Sequence, residues 1–241
     1  GNDVATANYI LVALSGAGIN LIAMLATIFF LKESLPVEDR RPFGSVLNIF
    51  EKGTFSPEKA IVPLIICGLI FYTAMSLMEA IFPLWSNSIF DYGPTNIGYV
   101  FFLLGFIGII VQGVLIGPMT KIAGERKLVQ IAAICVALGL TLIGLSSETL
   151  ILWVGLFFYG LGAAIFNPSL SSLISKSAKP YERGKFLGQY QSASAMGRII
   201  GPAFSGVLYA NFIASAPLYV GAIVVLPIIV VIANFALRKP I

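Results

Sequence analysis

Seven apolar segments, each long enough to cross a lipid bilayer, limit the fold of this chain more than any other feature of its sequence. A transmembrane helix needs about 20 mostly apolar residues to cross a hydrocarbon core of about 30 Å. In hydrocarbon, a single segment of that length satisfies its own backbone hydrogen bonds only as a helix. We therefore expect an all-α integral membrane protein with seven transmembrane helices. The predicted spans are residues 9–31, 60–84, 96–118, 128–146, 150–174, 186–209 and 215–237.

The composition argues against soluble and catalytic classes of protein. Only 11% of the residues are charged, whereas about a quarter of the residues of a soluble domain are charged. The chain has no histidine, the commonest metal ligand and general base. Its two cysteines, Cys67 and Cys135, lie in different spans, where thiols pack as small hydrophobes. Glu79 is the only acidic residue within a predicted span, so a metal site or a two-carboxylate site lacks ligands. We expect no enzyme activity, no cofactor, no metal site and no nucleic-acid partner.

The Lys and Arg residues predict the orientation of the chain in the membrane. All but one of the 15 lie in the first, third and fifth connections between spans or after the last span. Because cytoplasmic loops carry the excess of positive charge, we expect Gly1 outside and Ile241 in the cytoplasm. We expect a multi-pass protein of the cell membrane, either a plasma membrane or a bacterial inner membrane. The exceptional basic residue is Arg198, which lies within the sixth span.

The first connection, residues 32–59, has an amphipathic pattern. Two interpretations remain open for it. One is a surface helix over residues 43–51 on the cytoplasmic side, and the other is a partly ordered linker between two bundles. Four apolar residues recur with the spacing of one helix face: Phe43, Val46, Leu47 and Phe50.

Polar side chains are concentrated in the second, third, fifth and sixth spans. Because polar groups are costly in hydrocarbon, such side chains face a bundle interior or a wet cavity. These four spans are therefore expected to surround something polar, whereas the fourth and seventh spans face lipid. The polar residues are Tyr72, Ser76, Glu79, Gln112, Tyr159, Asn167, Gln191, Ser194, Arg198 and Ser205, and Pro83 lies near the same face as the first three.

Two faces are predicted for the sixth span. Polar side chains at spacings of 3, 7 and 7 residues share one stripe: Gln191, Ser194, Arg198 and Ser205. Small residues at every fourth position form a second stripe that lets a neighbouring helix approach closely: Ala193, Gly197 and Gly201. Pro202 removes a backbone donor and is expected to bend the helix beyond the arginine.

Each intramembrane charge has two open interpretations. Arg198 is either a pin between helices, bonded to backbone carbonyls or to Glu79, or a pathway residue that binds an anionic group or controls the protonation of Glu79. Glu79 either reaches the outer headgroups or a polar vestibule, or it is a proton-coupling carboxylate. For Asn167, which precedes Pro168, a kink is favoured over a ligand site, and Gln112 is expected to bond to a neighbouring helix.

Four stretches carry a family resemblance: FFLKESLP at 29–36, SLMEAIFPLW at 76–85, VQGVLIGPMTKIAGERKLV at 111–129 and SKSAKPYERGKFLGQYQSASAMGRIIGPAFSGVLY at 175–209. They are similar to parts of the C-terminal half of a major facilitator superfamily transporter. In this order they resemble the end of the sixth helix, the seventh helix, the eighth helix with its following loop, and the tenth-to-eleventh connection with the eleventh helix. The branch they resemble most is that of the tetracycline and multidrug proton antiporters, with Glu79 at the acidic position of the seventh helix.

The loop after the third span matches the family's loop motif with one exception. The motif reads roughly Gly-x-x-x-Asp-Arg-x-Gly-Arg-Lys. Both of its glycines and its trailing Arg-Lys pair are present, as Gly117, Gly124, Arg126 and Lys127. Lys121 stands where the family has its aspartate, which puts the charge-relay gate of that aspartate in doubt for this chain.

The resemblance covers nearly the whole chain and implies helices six to twelve of a twelve-helix transporter. Residues 1–31 would hold the sixth helix, residues 32–59 the central cytoplasmic loop, and residues 60–241 the six-helix bundle, built from two inverted three-helix repeats. The implied function is proton-coupled efflux of a small amphipathic, drug-like compound by alternating access. The implied partners are the lipid bilayer, that compound, protons and the N-terminal half that this chain lacks.

The alternative is a stand-alone seven-span receptor, or a structural membrane protein without transport activity. A retinal receptor needs a lysine within a span, and no predicted span contains one. A hormone-type receptor usually has an extracellular cysteine pair, whereas both cysteines here lie within spans. These two observations favour the transporter.

Overall fold

The computed structural model describes residues 9–30 and 61–237, and this part of the chain is helical without β-strands. The chain divides into two compact units, residues 1–56 and residues 57–241. The all-α fold class predicted from the apolar segments is therefore confirmed.

The first unit contributes one described helix, α1 (Tyr9–Phe30). Its part Ala13–Phe30 is long and apolar enough to cross a membrane. The predicted surface helix over residues 43–51 lies outside the described residues.

The second unit consists of helices joined by short connections. Proline begins two of these helices, where its missing N–H leaves no intrahelical bond unmade. The elements in chain order are α2 (Val62–Phe90), α3 (Pro94–Ile110), a π-helical turn (Val111–Leu115), α4 (Ile116–Leu145), α5 (Thr149–Ser177), a 3-10 turn (Pro180–Glu182), α6 (Arg183–Asn211), α7 (Ala216–Val225) and α8 (Pro227–Leu237).

Within the described residues, the chain forms seven helical segments of membrane length, as predicted. Five stretches qualify by length and hydropathy alone, and one of these, Pro94–Leu145, has 52 residues, although about 20 suffice for one span. Gly124 divides this stretch with a φ of 75° and a ψ of 155°, a conformation open to glycine and strained for other residues. The two parts are the predicted third and fourth spans. The remaining segment is α6, whose polar side chains keep it outside the five.

Two helix pairs approach so closely that only glycine fits between them. At the contact of α2 with α6, a Cβ on Gly197 would lie 2.7 Å from the carbonyl oxygen of Leu69. At the contact of α4 with α5, a Cβ on Gly162 would lie 2.6 Å from the carbonyl oxygen of Ala132. Small residues at helix contacts allow this approach in membranes, where packing rather than water exclusion drives association.

Side-chain hydrogen bonds attach the last span to the rest of the second unit. The indole N–H of Trp85 donates to the hydroxyl of Ser215 at 3.0 Å, which ties the end of α2 to the start of α7. The amide of Gln130 donates to the carbonyl of Ile229 at 3.1 Å, which ties α4 to α8. The outer surfaces of these spans carry exposed apolar side chains such as Ile134, as expected for helices that face lipid.

Candidate functional site

The two intramembrane charges, Glu79 on α2 and Arg198 on α6, are both exposed on the second unit. They lie near each other because α2 and α6 pack closely along the glycine contact. Their interaction is electrostatic over a distance, and they do not form a direct ion pair in the part of the chain that the structure describes. Together with Tyr72 and Tyr159, described next, we call them the charged site.

Arg198 is held by an aromatic ring. Its guanidinium carbon lies 4.4 Å from the centroid of the Tyr72 ring, which is one helix away on α2. A cation over an aromatic face at this distance is attracted by the ring quadrupole. The guanidinium has five N–H donors, and none of them is donated to a residue within 61–237. The Tyr72 ring thus positions Arg198, while the N–H donors of its guanidinium remain available for hydrogen bonds.

Glu79 lies beside a buried tyrosine of α5. The hydroxyl of Tyr159 donates to the carbonyl oxygen of Met75 at 3.4 Å, one turn earlier on α2, which places it next to the Glu79 carboxylate. Tyr159 is only 1% exposed, so its ring cannot swing away without opening the bundle. A carboxylate accepts several hydrogen bonds, and Glu79 therefore keeps acceptor capacity toward the exposed side.

A second tyrosine extends the charged site into the bundle. Tyr190 on α6 lies beside Tyr72, and its hydroxyl donates to the side-chain oxygen of Asn167 on α5 at 2.8 Å. Ser171 lies 3.5 Å from the same oxygen. Helix α5 continues through Asn167 and Pro168, and the side-chain oxygen of Asn167 accepts the hydrogen bond from Tyr190. The kink expected at this position stays a prediction. Arg198 is thus connected to Asn167 of α5 through three successive contacts, by way of Tyr72 and Tyr190.

The structure divides the polar stripe that was predicted on α6. Gln191 and Arg198 are exposed, whereas Ser194 and Ser205 are buried against α2. The hydroxyl of Ser205 donates to the carbonyl of Leu77 at 2.8 Å. The four residues cover a wide sector of the α6 surface, and the edge of the α2–α6 contact runs through that sector. Their spacing in the sequence therefore does not show which of them are buried. Ser194 therefore lies inside the helix contact and not on the exposed surface.

Gln112 lies apart from these contacts, in the π-helical turn that follows α3. π-Helical turns are rare in proteins as a whole, but those that occur frequently lie at functional positions. The predicted hydrogen bond to a neighbouring helix is not formed among residues 61–237. The reason is that no helix of the second unit covers this face: Gln112 lines an open groove with Gly105, Gly108 and Gly113, and a Cβ on any of these glycines would meet nothing within 4 Å.

The loop motif after the third span contains an ion pair that the sequence analysis did not identify. Glu125 follows Gly124 directly, and its carboxylate contacts the ammonium group of Lys176 and accepts a 3.0 Å hydrogen bond from Ser172, both on α5. The hydrogen bond from Lys176 lowers the pKa of Glu125. Lys121, where the family has an aspartate, is exposed. The acidic residue of this loop, Glu125, thus lies four positions after Lys121. Its place beside the second glycine is the sequence signal that could have identified it.

Comparisons with known proteins agree with this architecture. The family model described as "Major Facilitator Superfamily" matches residues 64–241. The chain is 26% identical over 198 residues to "Multidrug resistance protein 2" of Bacillus subtilis (strain 168), which covers 80% of this chain and 49% of that protein. It is 31% identical over 102 residues to "Multidrug resistance protein MdtH" of Proteus mirabilis (strain HI4320), covering 42% of this chain and 26% of that protein.

Among solved structures, the fold is similar to that titled "Crystal structure of the human organic anion transporter MFSD10 (TETRAN)". The TM-score is 0.73 at 22% sequence identity, and the match covers 84% of this chain and 52% of that chain. The chain therefore spans about half the length, or less, of the proteins it matches.

Proposed function

The chain belongs to the Major Facilitator Superfamily of membrane transporters, and we propose that it is the C-terminal part of a proton-coupled exporter of small amphipathic compounds. Transport of small molecules across a membrane is the activity of the family. Proton coupling, the outward direction and the drug-like substrate are the proposal. The printed names of two relatives, both multidrug resistance proteins, support the drug-like substrate.

The charged site is the observation that carries the proposal. Intramembrane ionisable residues are rare and mark substrate or proton pathways. Here a carboxylate and a guanidinium lie at one exposed surface, with Tyr159 beside Glu79 and the Tyr72 ring against Arg198. Protonation of Glu79 changes the charge of this surface by one unit without any movement of the backbone. A charge change at the position where a substrate binds is what coupling to protons requires.

The arrangement also supports the proposed place of this chain in a larger transporter. Residues 60–241 would form one six-helix bundle, with residues 1–31 as the helix that precedes it and residues 32–59 as the central loop. The exposed charged site and the uncovered groove at Gln112 would then face the other bundle across the transport pathway. The Lys and Arg distribution supports a cytoplasmic C-terminus.

Substitution of the carboxylate tests proton coupling. In the complete protein reconstituted in liposomes, we expect Glu79→Gln to abolish transport driven by a pH gradient. Exchange of labelled for unlabelled compound without a gradient requires no change of protonation, and it reports separately whether the variant still binds and carries the compound. Glu148→Gln is the matched control, since Glu148 is an exposed acid in the connection before α5.

The proposal fails if Glu79→Gln retains gradient-driven transport at the rate of the unsubstituted protein. It also fails if the unsubstituted protein carries no compound of a panel of anionic, cationic, zwitterionic and neutral amphiphiles. The receptor alternative lacks support, because a transporter family matches the chain through most of its length.

A further inference from the structure

The charged site holds two opposite charges that are close but not paired, and this geometry is unusual inside a membrane. Isolated charges in a low-dielectric environment normally form a direct ion pair, because each otherwise lacks its counter-charge. Glu79 and Arg198 interact electrostatically, yet the guanidinium of Arg198 lies over the Tyr72 ring, and no direct ion pair joins the two charges within the described residues. Both side chains remain exposed. The site is neutral overall and presents a positive and a negative group side by side.

The two charges are separated along one face of α2. The guanidinium of Arg198 lies over Tyr72, and Tyr72 and Glu79 are seven residues apart, which is about 10 Å along a helix. Tyr159, which lies beside Glu79, is 1% exposed, and Tyr190, which lies beside Tyr72, is 0% exposed. Tyr190 is itself held by Asn167 at 2.8 Å. A ligand that carries both charges can bridge this separation.

We propose that the charged site binds a zwitterionic amphiphile, with its anionic group on the guanidinium of Arg198 and its cationic group on the carboxylate of Glu79. Arg198 has free N–H donors in the fork geometry that suits a carboxylate. Glu79 is exposed and has acceptor positions for an ammonium group. A ligand with a single charge leaves one protein charge desolvated and unpaired, which is costly. A zwitterion supplies a counter-charge to both Glu79 and Arg198.

This inference rests on the proposed function and gives it a mechanism. A proton on Glu79 removes the negative charge that the ligand's ammonium group binds. Proton and ligand therefore compete for one carboxylate, which is the condition for exchanging one for the other across a membrane. Arg198 keeps its charge in both states and holds the anionic end of the ligand.

The test uses aromatic probes that share a body and differ in charge. The zwitterions are phenylalanine, 3-aminomethylbenzoate and 4-aminomethylbenzoate, which place the two charges at three separations. The singly charged relatives are 4-methylbenzoate and 4-methylbenzylammonium. Binding of tritiated probes to the complete protein in lipid nanodiscs is measured by scintillation proximity. We expect at least one zwitterion to bind about tenfold more tightly than both singly charged relatives, which corresponds to one unpaired charge at about 1.4 kcal/mol.

Substitution of either charged residue should abolish the preference for the zwitterion, and the two substitutions should favour opposite singly charged probes. Arg198→Gln should make the protein prefer the cation, and Glu79→Gln should make it prefer the anion. Arg183→Gln, at the start of α6, removes an exposed positive charge away from the site and should leave the zwitterion preferred. The preference of the unsubstituted protein tests the idea even if a variant does not fold.

Equal or tighter binding of a singly charged relative overturns the inference, as does the same preference in both site variants. If the protein then still exchanges singly charged compounds for protons, the proposed function stands and only the zwitterion is wrong. If it carries no probe of any class, both fail together.

Discussion

Gly201 on α6 provides the sharpest test of the α2–α6 contact. A Cβ at this position would press on the side chain of Ser76 and would lie 2.9 Å from the backbone nitrogen of Leu77. A backbone atom cannot move aside unless α2 itself shifts. Ser76 also donates a 3.0 Å hydrogen bond to the carbonyl of Gly197, and displacement of its side chain would break this bond.

The expected cost of Gly201→Ala follows from three terms. Overpacking costs about 1–3 kcal/mol, and the lost hydrogen bond about 1 kcal/mol. Alanine gains about 0.5–1 kcal/mol over glycine inside a helix. The net loss in the free energy of unfolding is about 1–3.5 kcal/mol, or a fall in the melting temperature of about 2–14 °C for a chain of this size. The matched control is Gly206→Ala on the same helix, where a Cβ meets nothing within 4 Å and the melting temperature should stay or rise.

The chain's own cysteines provide the assay. Cys67 is 0% exposed and Cys135 is 8% exposed, so a fluorogenic maleimide reacts with them only as the bundle opens on heating. The melting temperature in detergent is read from the rise in fluorescence. If Gly201→Ala and Gly206→Ala melt together, the close approach of α2 to α6 is refuted.

Two further predictions concern the loop after the third span. Gly124→Ala should lower stability by about 1–3 kcal/mol, because the residue has a positive φ of 75°, whereas Gly117→Ala, in a helical position with open space around it, should not; thermal melting compares them. Because Lys176 lowers the pKa of Glu125, their pair stabilises the fold above the ordinary pKa of glutamate, about 4.3, and this stability is lost as the pH falls through the lowered pKa. Lys176→Met should flatten that acid dependence of the melting temperature by at most about 1 kcal/mol, since the pair is partly solvated; an unchanged pH profile would contradict the pairing.

Much of the fold could be predicted from the sequence because a bilayer imposes a single length scale. The apolar segments predicted the number and order of the spans, and α3 begins at Pro94, two residues before the predicted start of the third span. The end of α2 was less predictable: the helix continues to Phe90, past the apolar stretch, until Asp91 adopts a left-handed conformation with φ 52°. A helix does not end where the hydrocarbon ends, so hydropathy alone misplaces its boundary.

The site was only partly predictable, because contacts between helices depend on rotation about each helix axis. Polarity within apolar spans was enough to find Glu79, Arg198 and Tyr159. The role of Tyr190 was missed, although a tyrosine one turn before a buried serine was a usable signal. Its partnership with Asn167 joins two helices far apart in sequence, and no periodicity within either helix contains that information.

The polar character of α6 has a consequence for how the protein is made. An arginine at the centre of a helix costs about 2.5–3.5 kcal/mol during insertion, and α6 is too polar to qualify as a span on its own. Its packing partner α2, whose Leu77 carbonyl accepts the hydrogen bond from Ser205, precedes α6 in the chain and is therefore synthesised earlier. Insertion of α6 is therefore assisted by a helix already present in the bilayer. Defects at the α2–α6 contact will then lower the yield of inserted protein in the cell, before they alter the stability of any molecule that reaches its final topology.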